Sequence, residues 1–505
     1  YQLMRDVKHC WDAAGVFNLH KITDTAPMDS HLRFETNQTY AIEKFIGTDK
    51  TYYNWKAAFD ECKIKGATGA KTQLNALMCS IEQCNGSGDC RKSNLMGGTL
   101  CPAFKVTRDE THATRARANV LREVLTHCND NPLQSKEIAE VLNSCLACKG
   151  CRSECPSNVD MTRLRSEILQ HKYDANGTPL RSFAVSRMAA VEKLGHLVWP
   201  VYNLFAKWKL SSAIIKGIIR FSTERKIPTL SKLTMREAVK LEQMKARLKQ
   251  KEAKGKGKVY LFADEFTNFQ EAEIGLCFAR FLMRLGYEVE IPKHVESGRA
   301  AISKGCLKLA KQFAIKNVNM LKDKISAGTP LVVSEPSCIL SFRDEYPELV
   351  PSEMRAVAQR LGRNALLFDE FIMREVAAGR IKSDDFRSDP VEIWLHGHCH
   401  QKALVGVEKT AKALQLLSGA TVHVIPSSCC GMAGAFGYEK EHYKTSIAIG
   451  EMVLFPTVRK AVANADKEKP TLIAAPGTSC RQQILDGTGI HAAHPIEILQ
   501  RWLRE

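Results

Sequence analysis

No apolar run of about 18 residues or more occurs anywhere in the 505 residues, so no transmembrane helix is expected, and no stretch reads as a signal peptide. Acidic residues fall short of basic ones, 55 against 72, leaving a formal charge of +17. Cysteine is too sparse for a disulfide scaffold at 18 in 505 residues. Many of these cysteines stand at ligand spacings rather than as scattered pairs, which fits a reducing cytoplasm. The length allows three or four domains, each with its own core. With Tyr1 in place of an initiator methionine, the chain is expected to be part of something longer.

What is present begins with "CLACKGCRSECPSNVD", residues 145–160, where four cysteines stand at gaps of two, two and three residues and a proline follows the last. Closely spaced thiolates also hold structural zinc, but such sites pair two C-x2-C knuckles across a longer gap. The spacing here is the bacterial ferredoxin run that ligates [4Fe-4S] clusters. In that rule the fourth cysteine serves the other cluster, so a second run is required. Upstream, "CNGSGDCRKSNLMGGTLCP" places Cys84 and Cys90 as first and third ligands and Cys101 as the fourth, pushed back by residues 91–100; Ser87 takes the second position. One cluster is therefore expected on Cys101, Cys145, Cys148 and Cys151. Another would have Cys84, Cys90 and Cys155 and lack a fourth thiolate; Cys79 is close enough in sequence to be considered, and is equally readable as a core thiol.

The surrounding unit reads as helical. "TRDE" at 107–110 has the form of a capping box opening a helix, and Ile138, Val141, Leu142 and Cys145 share a face at i, i+3, i+4 and i+7. Residues 232–258 carry ten Lys or Arg and three Glu. They read as a solvated helix, with Leu241, Met244 and Leu248 as a thin apolar stripe, running into a flexible linker; without aromatic interleaving, no nucleic-acid partner is expected. Just before it, "HLVWPVYNLFAKWKLSSAIIKGIIRF" mixes Trp, Phe and Ile with Lys, as interfacial membrane helices do and as a packed core also can.

Beyond residue 257 the pattern turns α/β. Strands are expected at "KVYLFA", "YEVEI", "TPLVVSEPSC", "EIWLHGHC", "TVHVIPSSCCG" and "TLIAAPGTSC". A helix face runs through Ile274, Cys277, Phe278, Phe281, Leu282 and Leu285 and stops at Gly286. The plan repeats at a period of about 135 to 140 residues, longer than a solenoid repeat. In the second lobe Cys399, Cys429, Cys430 and Cys480 each follow a strand, where side chains converge in one crevice and four thiolates suit an iron-sulfur cluster or zinc. Aligning Gly298 with Gly431 puts Glu296 and Ser297 at the cysteine pair of the first lobe, where only Cys338 persists, so that lobe reads as a scaffold. His396, His398 and His400 flank Cys399, as sulfur or acceptor contacts or as structural histidines.

"CCG" at 429–431 resembles the cysteine-rich CCG domain of heterodisulfide reductase subunits and of the iron-sulfur subunits of glycolate, lactate and glycerol-3-phosphate oxidising systems. With "CNGSGDCRK", "LCPAFKVTRDETHATRARA", "CLACKGCRSECPSNVD" and "HGHCHQKAL", nearly the whole chain resembles the C-terminal half of a large FAD-linked oxidase of the D-2-hydroxyglutarate or D-lactate dehydrogenase type. "YQLMRDVKHCWDAAGVFNLHKI" is similar to the last helix and tail of its flavin domain, with Asn18, Leu19, His20 and Lys21 where the family tends to read Asn-Pro-Gly-Lys. The resemblance implies a multidomain chain. Its parts are a flavin-domain tail at 1–30, an α-helical ferredoxin-like dicluster domain at 70–175, and a helical basic linker at 176–257. Two α/β lobes follow, a degenerate CCG-type lobe at 258–385 and a second at 386–505. It implies an oxidoreductase portion that relays electrons from reduced FAD, held upstream, to a quinone, cytochrome or electron-transfer protein, cytoplasmic or peripheral at the inner face of a membrane. Alone, the chain is not expected to oxidise a hydroxy acid. Two alternatives remain: thiol/disulfide chemistry at the CCG site, or a zinc-stabilised scaffold around a single cluster.

Overall fold

The computed structural model describes residues 1–30, 39–56, 72–248, 255–466 and 469–504, in two units, Tyr1–Thr39 and Tyr40–Glu505. In the first, the helix Gln2–Trp11 is closed by Asp12, whose carboxylate accepts from the amides of Val16 (2.7 Å) and Phe17 (2.9 Å).

The second unit opens with helical segments around the two cysteine runs. Pro102, preset for a first helical turn, starts the helix Pro102–Thr107 directly after Cys101, and the left-handed Arg108 ends it. The expected capping box at 107–110 therefore does not form. Thr107 closes one helix, Asp109 takes the amide of Thr111 at 2.9 Å, Glu110 pairs with Arg91 and Arg115, and the long helix Thr114–His127 starts without a side-chain cap. Ser135 caps the helix Lys136–Asn143, which buries Ile138, Val141 and Leu142 and stops two residues short of Cys145. The helix Gly150–Glu154 carries Cys151 and ends directly before Cys155. Along the helix Met161–Asn176, Glu167 is fully buried and accepts from the amides of Tyr52 (2.7 Å) and Tyr53 (3.0 Å) and from Trp55 Nε1 (3.3 Å), tying residues 52–55 to this unit.

Four short helices follow, Leu180–Ser186, Met188–His196, Trp199–Lys207 and Lys209–Ile218, then the basic helix Met235–Leu248. The last buries Met235, Ala238 and Val239, while Leu241 and Met244 of the expected stripe face outward, because the packed face lies one residue round the helix. Residues 249–254, the core of the expected linker, lie outside the described residues.

Two parallel sheets complete the unit. β1 (Lys258–Leu261), β2 (Glu288–Glu290), β3 (Leu331–Val333) and β4 (Ala365–Leu367) lie in the order β2-β1-β3-β4; β5 (Val391–Leu395), β6 (Ala420–Val424) and β7 (Thr471–Ala474) lie in the order β6-β5-β7. In both, the first strand lies between the second and third, with Tyr260 opposite Glu290 and Leu331, and Ile393 opposite Val422 and Leu472. β3 is buried at every position, as a covered parallel strand must be, and β5 alternates with Val391, Ile393 and Leu395 inward. The helices Ala272–Arg284 and Pro495–Trp502 pack together, and one apolar cluster runs from Val259, Leu261 and Phe281 through Phe368 to Ile393, Leu395 and Trp502, joining the two sheets.

Ion pairs cross these elements. Glu439 is 3% exposed and is held by Lys304, Arg181 and His442, the last at 2.8 Å. Burial alone pushes its carboxyl up, but His442, Lys304 and Arg181 outweigh it and bring it down to about 2. Burial also pulls Lys304 down, so the carboxylate is the partner that gains. A depressed carboxyl stabilises the fold above its unfolded value near about 4.3 and loses that contribution as pH falls towards the folded value. Glu439→Gln is expected to remove this acid-range dependence and, by leaving Lys304 buried without its charge partner, to cost about 3–5 kcal/mol at pH 7, read from urea midpoints across pH 2–7.

Candidate metal centres

Cys101 reaches the 145–155 run through Glu154, whose carboxylate accepts from the amides of Thr99 (2.6 Å) and Leu100 (3.0 Å). Gly150 permits this approach, since a Cβ there would lie 3.0 Å from Thr99 Cγ2. Arg117, 1% exposed, stands over the resulting thiols: Nη1 donates to Cys101 Sγ at 3.5 Å, Nε to the Val141 carbonyl at 2.8 Å and Nη2 to Ser144 Oγ at 2.8 Å. Burial works against its charge, but Cys145, Cys101 and Cys151 outweigh burial and hold the guanidinium more firmly protonated. Cys151 is pushed well up by burial, then by Asp160, Cys145 and Cys101. Cys101, Cys145 and Cys151 thus share the buried Arg117, and Cys148, with Cys101 and Cys151 as neighbouring thiols, lies with Cys101 beside the buried Lys105.

The other expected set is less assembled. Burial raises Cys90, the Arg115 amide donates to its sulfur at 3.3 Å, and Cys101 and Cys84 are its neighbouring thiols. Cys155 is half-buried directly after the helix Gly150–Glu154. Ser87 is exposed and its hydroxyl engages Asp89. Cys79 is half-buried, is pushed up to about 11 by burial and Glu82, and perturbs Tyr40.

The four thiols of the second sheet converge. Cys399 opens the helix Cys399–Leu404 after β5, Cys429 and Cys430 follow β6, and Cys480 lies in the first turn of the helix Thr478–Thr488 after β7; none exceeds 5% exposure. Cys429 donates to Cys399, bringing it down to about 6 against burial. Cys430 accepts from Cys429 and Cys480 and is held well below the usual thiol value, with the neighbouring His396 adding to the shift, while Cys429 and Cys480, as donors, are raised. The ligand atoms of His396, Cys430 and Cys480 lie within 4.8 Å of one another. His396 is fully buried, its Nδ1 2.7 Å from Ser427 Oγ and its Nε2 without a partner, so a buried donor atom faces the thiols.

Lys402 supplies the cation here. Its Nζ donates to the carbonyls of Ser427 (2.5 Å) and Ser428 (3.0 Å); burial lowers it while Cys480, Cys399, Cys429 and Cys430 favour its charge. Sequence reasoning missed Arg117 and Lys402, whose only signal was a basic residue near each cysteine motif.

In the first sheet, Ser297 Oγ donates to Glu265 Oε1 at 2.6 Å, and Cys338 is fully buried and raised by burial, Glu265, Asp264 and Glu335.

The two thiol groups are neighbours. His400 Nε2 lies 3.0 Å from the Ala147 carbonyl, and the helices Gly150–Glu154 and Cys399–Leu404 pack together. After burial, Cys399 raises the Cys148 thiol more than Cys101 or Cys151 does.

Residues 83–160 match the 4Fe-4S dicluster domain, which makes the helical unit an iron-sulfur domain. The chain is homologous to the C-terminal part of D-2-hydroxyglutarate dehydrogenases. It is 26% identical to the D-2-hydroxyglutarate dehydrogenase of Escherichia coli K12 over 469 residues, 83% of this chain but 43% of that protein. It is 26% identical to one of the subunits of the anaerobic glycerol-3-phosphate dehydrogenase of the same organism over 353 residues, 69% of this chain and 83% of that protein. Lactate utilization protein A of Bacillus thuringiensis is 28% identical over 185 residues, 35% of this chain and 74% of that protein. No solved structure matches. The chain spans about 43% of the length of the dehydrogenases it matches.

Gly431 makes the cysteine turn possible: its φ is +96°, and a Cβ would meet the Ser446 carbonyl at 2.2 Å. Gly431→Ala is expected to destabilise the chain by about 1–3 kcal/mol through backbone strain, lowering the thermal midpoint.

Proposed function

We propose that the chain is the electron-transfer portion of an FAD-dependent 2-hydroxyacid dehydrogenase of the D-2-hydroxyglutarate or D-lactate class. Electrons come from an upstream flavin domain and leave to a quinone, cytochrome or electron-transfer protein. One [4Fe-4S] cluster is assigned to Cys101, Cys145, Cys148 and Cys151, a second to Cys84, Cys90 and Cys155, and a third centre to Cys399, Cys429, Cys430 and Cys480 in a CCG lobe that repeats the plan of the lobe before it. The domain boundaries set out from the sequence are part of the same reading, as is a peripheral seat at the inner face of a membrane.

The observation that carries it is the packing of the helix Gly150–Glu154 on the helix Cys399–Leu404 with the His400–Ala147 contact at 3.0 Å, which supports a direct step from the helical unit to the CCG lobe. When bound, iron-sulfur clusters store and release single electrons with little rearrangement. The protein's own part is to supply thiolates, to offset their charge with Arg117 and Lys402, and to exclude water by burial. Thiol exchange with a disulfide substrate is disfavoured, because no thiol of the CCG set is more than 5% exposed. The specific observation favouring a zinc ion is the compact His396, Cys430 and Cys480 trio within 4.8 Å, since Zn–S bonds of about 2.3 Å require close sulfurs.

Iron, acid-labile sulfide and zinc per chain on anaerobically purified protein test the reading. About eight or more irons with matching sulfide and no zinc are expected, whereas about four irons with one zinc would reduce the CCG lobe to a scaffold.

A further inference from the structure

The four helices between 180 and 218 are amphipathic in the wrong sense for a soluble surface. What they turn inward is small or polar: Ser182 and Ser186, Ala189 and Glu192, Ala206, then Ser211, Ser212 and Lys216. What they turn outward is large and apolar. Leu194 is 70% exposed, Leu197 79%, Leu204 67%, Trp208 56%, Ile214 57% and Ile218 63%. A helix normally buries its apolar stripe against its own protein, and a monomer rarely leaves so many large side chains together in water.

We infer that this face docks on an anionic lipid bilayer surface, with the helices lying in the headgroup plane. Charge selects the partner. Residues 180–226 hold nine Lys or Arg and two Glu; Glu192, Lys216 and Arg225 are buried, which leaves seven basic residues and one acidic residue that are not. The exposed Lys193, Lys207 and Lys209 stand among the apolar positions, beside Trp208. Protein interface cores are depleted in lysine, whereas interfacial lipid-binding helices combine lysine, tryptophan and leucine in this manner. None of the four helices exceeds ten residues, and among the described residues no helix is long and apolar enough to cross a membrane, so the contact is with the surface.

The face is clamped to the thiol lobe. Arg225, 1% exposed, follows the last helix and donates to the Gly437 carbonyl (2.9 Å), Asp486 Oδ2 (2.7 Å), Gln483 Oε1 (2.7 Å) and Ser446 Oγ (2.9 Å). Ser446 is the residue whose carbonyl crowds Gly431 of the CCG turn. Arg181 forks onto Glu441 at 3.1 and 2.5 Å, and the Ser222 amide donates to the Tyr438 carbonyl at 2.7 Å. Docking therefore holds the Cys429–Cys430 turn one residue layer from elements fixed at the bilayer. The inference deepens the proposed function by giving the exit side of the relay a lipid surface, and its significance, though not its test, rests on that reading.

The test is co-sedimentation of the chain with phosphatidylcholine vesicles with and without about one third phosphatidylglycerol, at low and high salt. Binding to the anionic vesicles alone, reduced several-fold by roughly 0.5 M salt, is expected. Leu204→Glu with Ile214→Glu should weaken binding by about tenfold or more, while Leu241→Glu on the basic helix leaves it unchanged. Should the double variant fold poorly, quenching of tryptophan fluorescence in the unaltered chain by brominated lipids reports the same contact. Absence of sedimentation with anionic vesicles, retention of binding in a folded double variant, or a dimer that the double variant dissociates would each overturn the inference. Iron content is measured on the same samples: vesicle binding by a chain that takes up no iron fails the relay alone, and an iron-loaded chain that ignores vesicles fails the docking face alone.

Discussion

A buried lysine fixes the geometry on which everything else rests. Lys149 stands between Cys148 and Cys151 with a left-handed φ of 62°, is 2% exposed, and places its ammonium against Asp344 and, at 2.6 Å, Glu345 at the end of the helix Pro336–Asp344. Arg152 and Arg163 also reach Asp344, and Arg299 meets Glu345 at 3.0 Å. Burial would raise the Asp344 carboxyl, but Lys149, Arg152 and Arg163 together hold it well below the ordinary range. Charges this deep are tolerated only when each finds its partner, so the cysteine run has one way to sit on the first α/β lobe. That seat carries Ala147, itself left-handed at 53°, to His400 and Cys148 to Cys399. The strained backbone persists because the surrounding ion pairs over-determine it.

The first lobe thereby has a use although its crevice carries Glu265, Ser297 and Cys338 in place of a thiol set: it is the acidic seat for the cysteine run. Each main thiol group in turn has cations beside it, the buried Arg117 and Lys105 for the helical unit and the part-buried Lys402 for the second lobe. Thiolates gathered in a low-dielectric interior repel one another, and a fixed positive charge offsets that cost before any metal arrives. His396 is prepared in the same way, one ring nitrogen pinned by Ser427 so that the other is held facing the thiols.

Much of this was legible in the sequence where chemistry is local. The cysteine spacings, six of the seven strands and the helix face from Ile274 to Leu285 are periodic or punctuated signals, and they lie where the pattern put them. β4 was missed because three residues, Ala365–Leu367, between two helices give no alternation to count. The capping box at 107–110 was misread because a local motif competes with its neighbours, and Pro102 had already committed Thr107 to another helix. The long-range partners, Lys149 with Asp344 or Arg225 with Asp486, leave no trace in spacing, since nothing local distinguishes a lysine destined for the interior. The inverted helices at 180–218 show the same limit: sequence revealed amphipathicity, and only the fold revealed which face points outward.

If the two thiol groups are loaded as proposed, they act as adjacent centres in one relay. Electron paramagnetic resonance on the dithionite-reduced, iron-loaded chain tests this most directly. Adjacent paramagnetic centres broaden or split each other's signals, and such an interaction is expected in the intact chain and lost in Cys399→Ala. Signals from the helical unit that are sharp, and identical with and without Cys399, would contradict it.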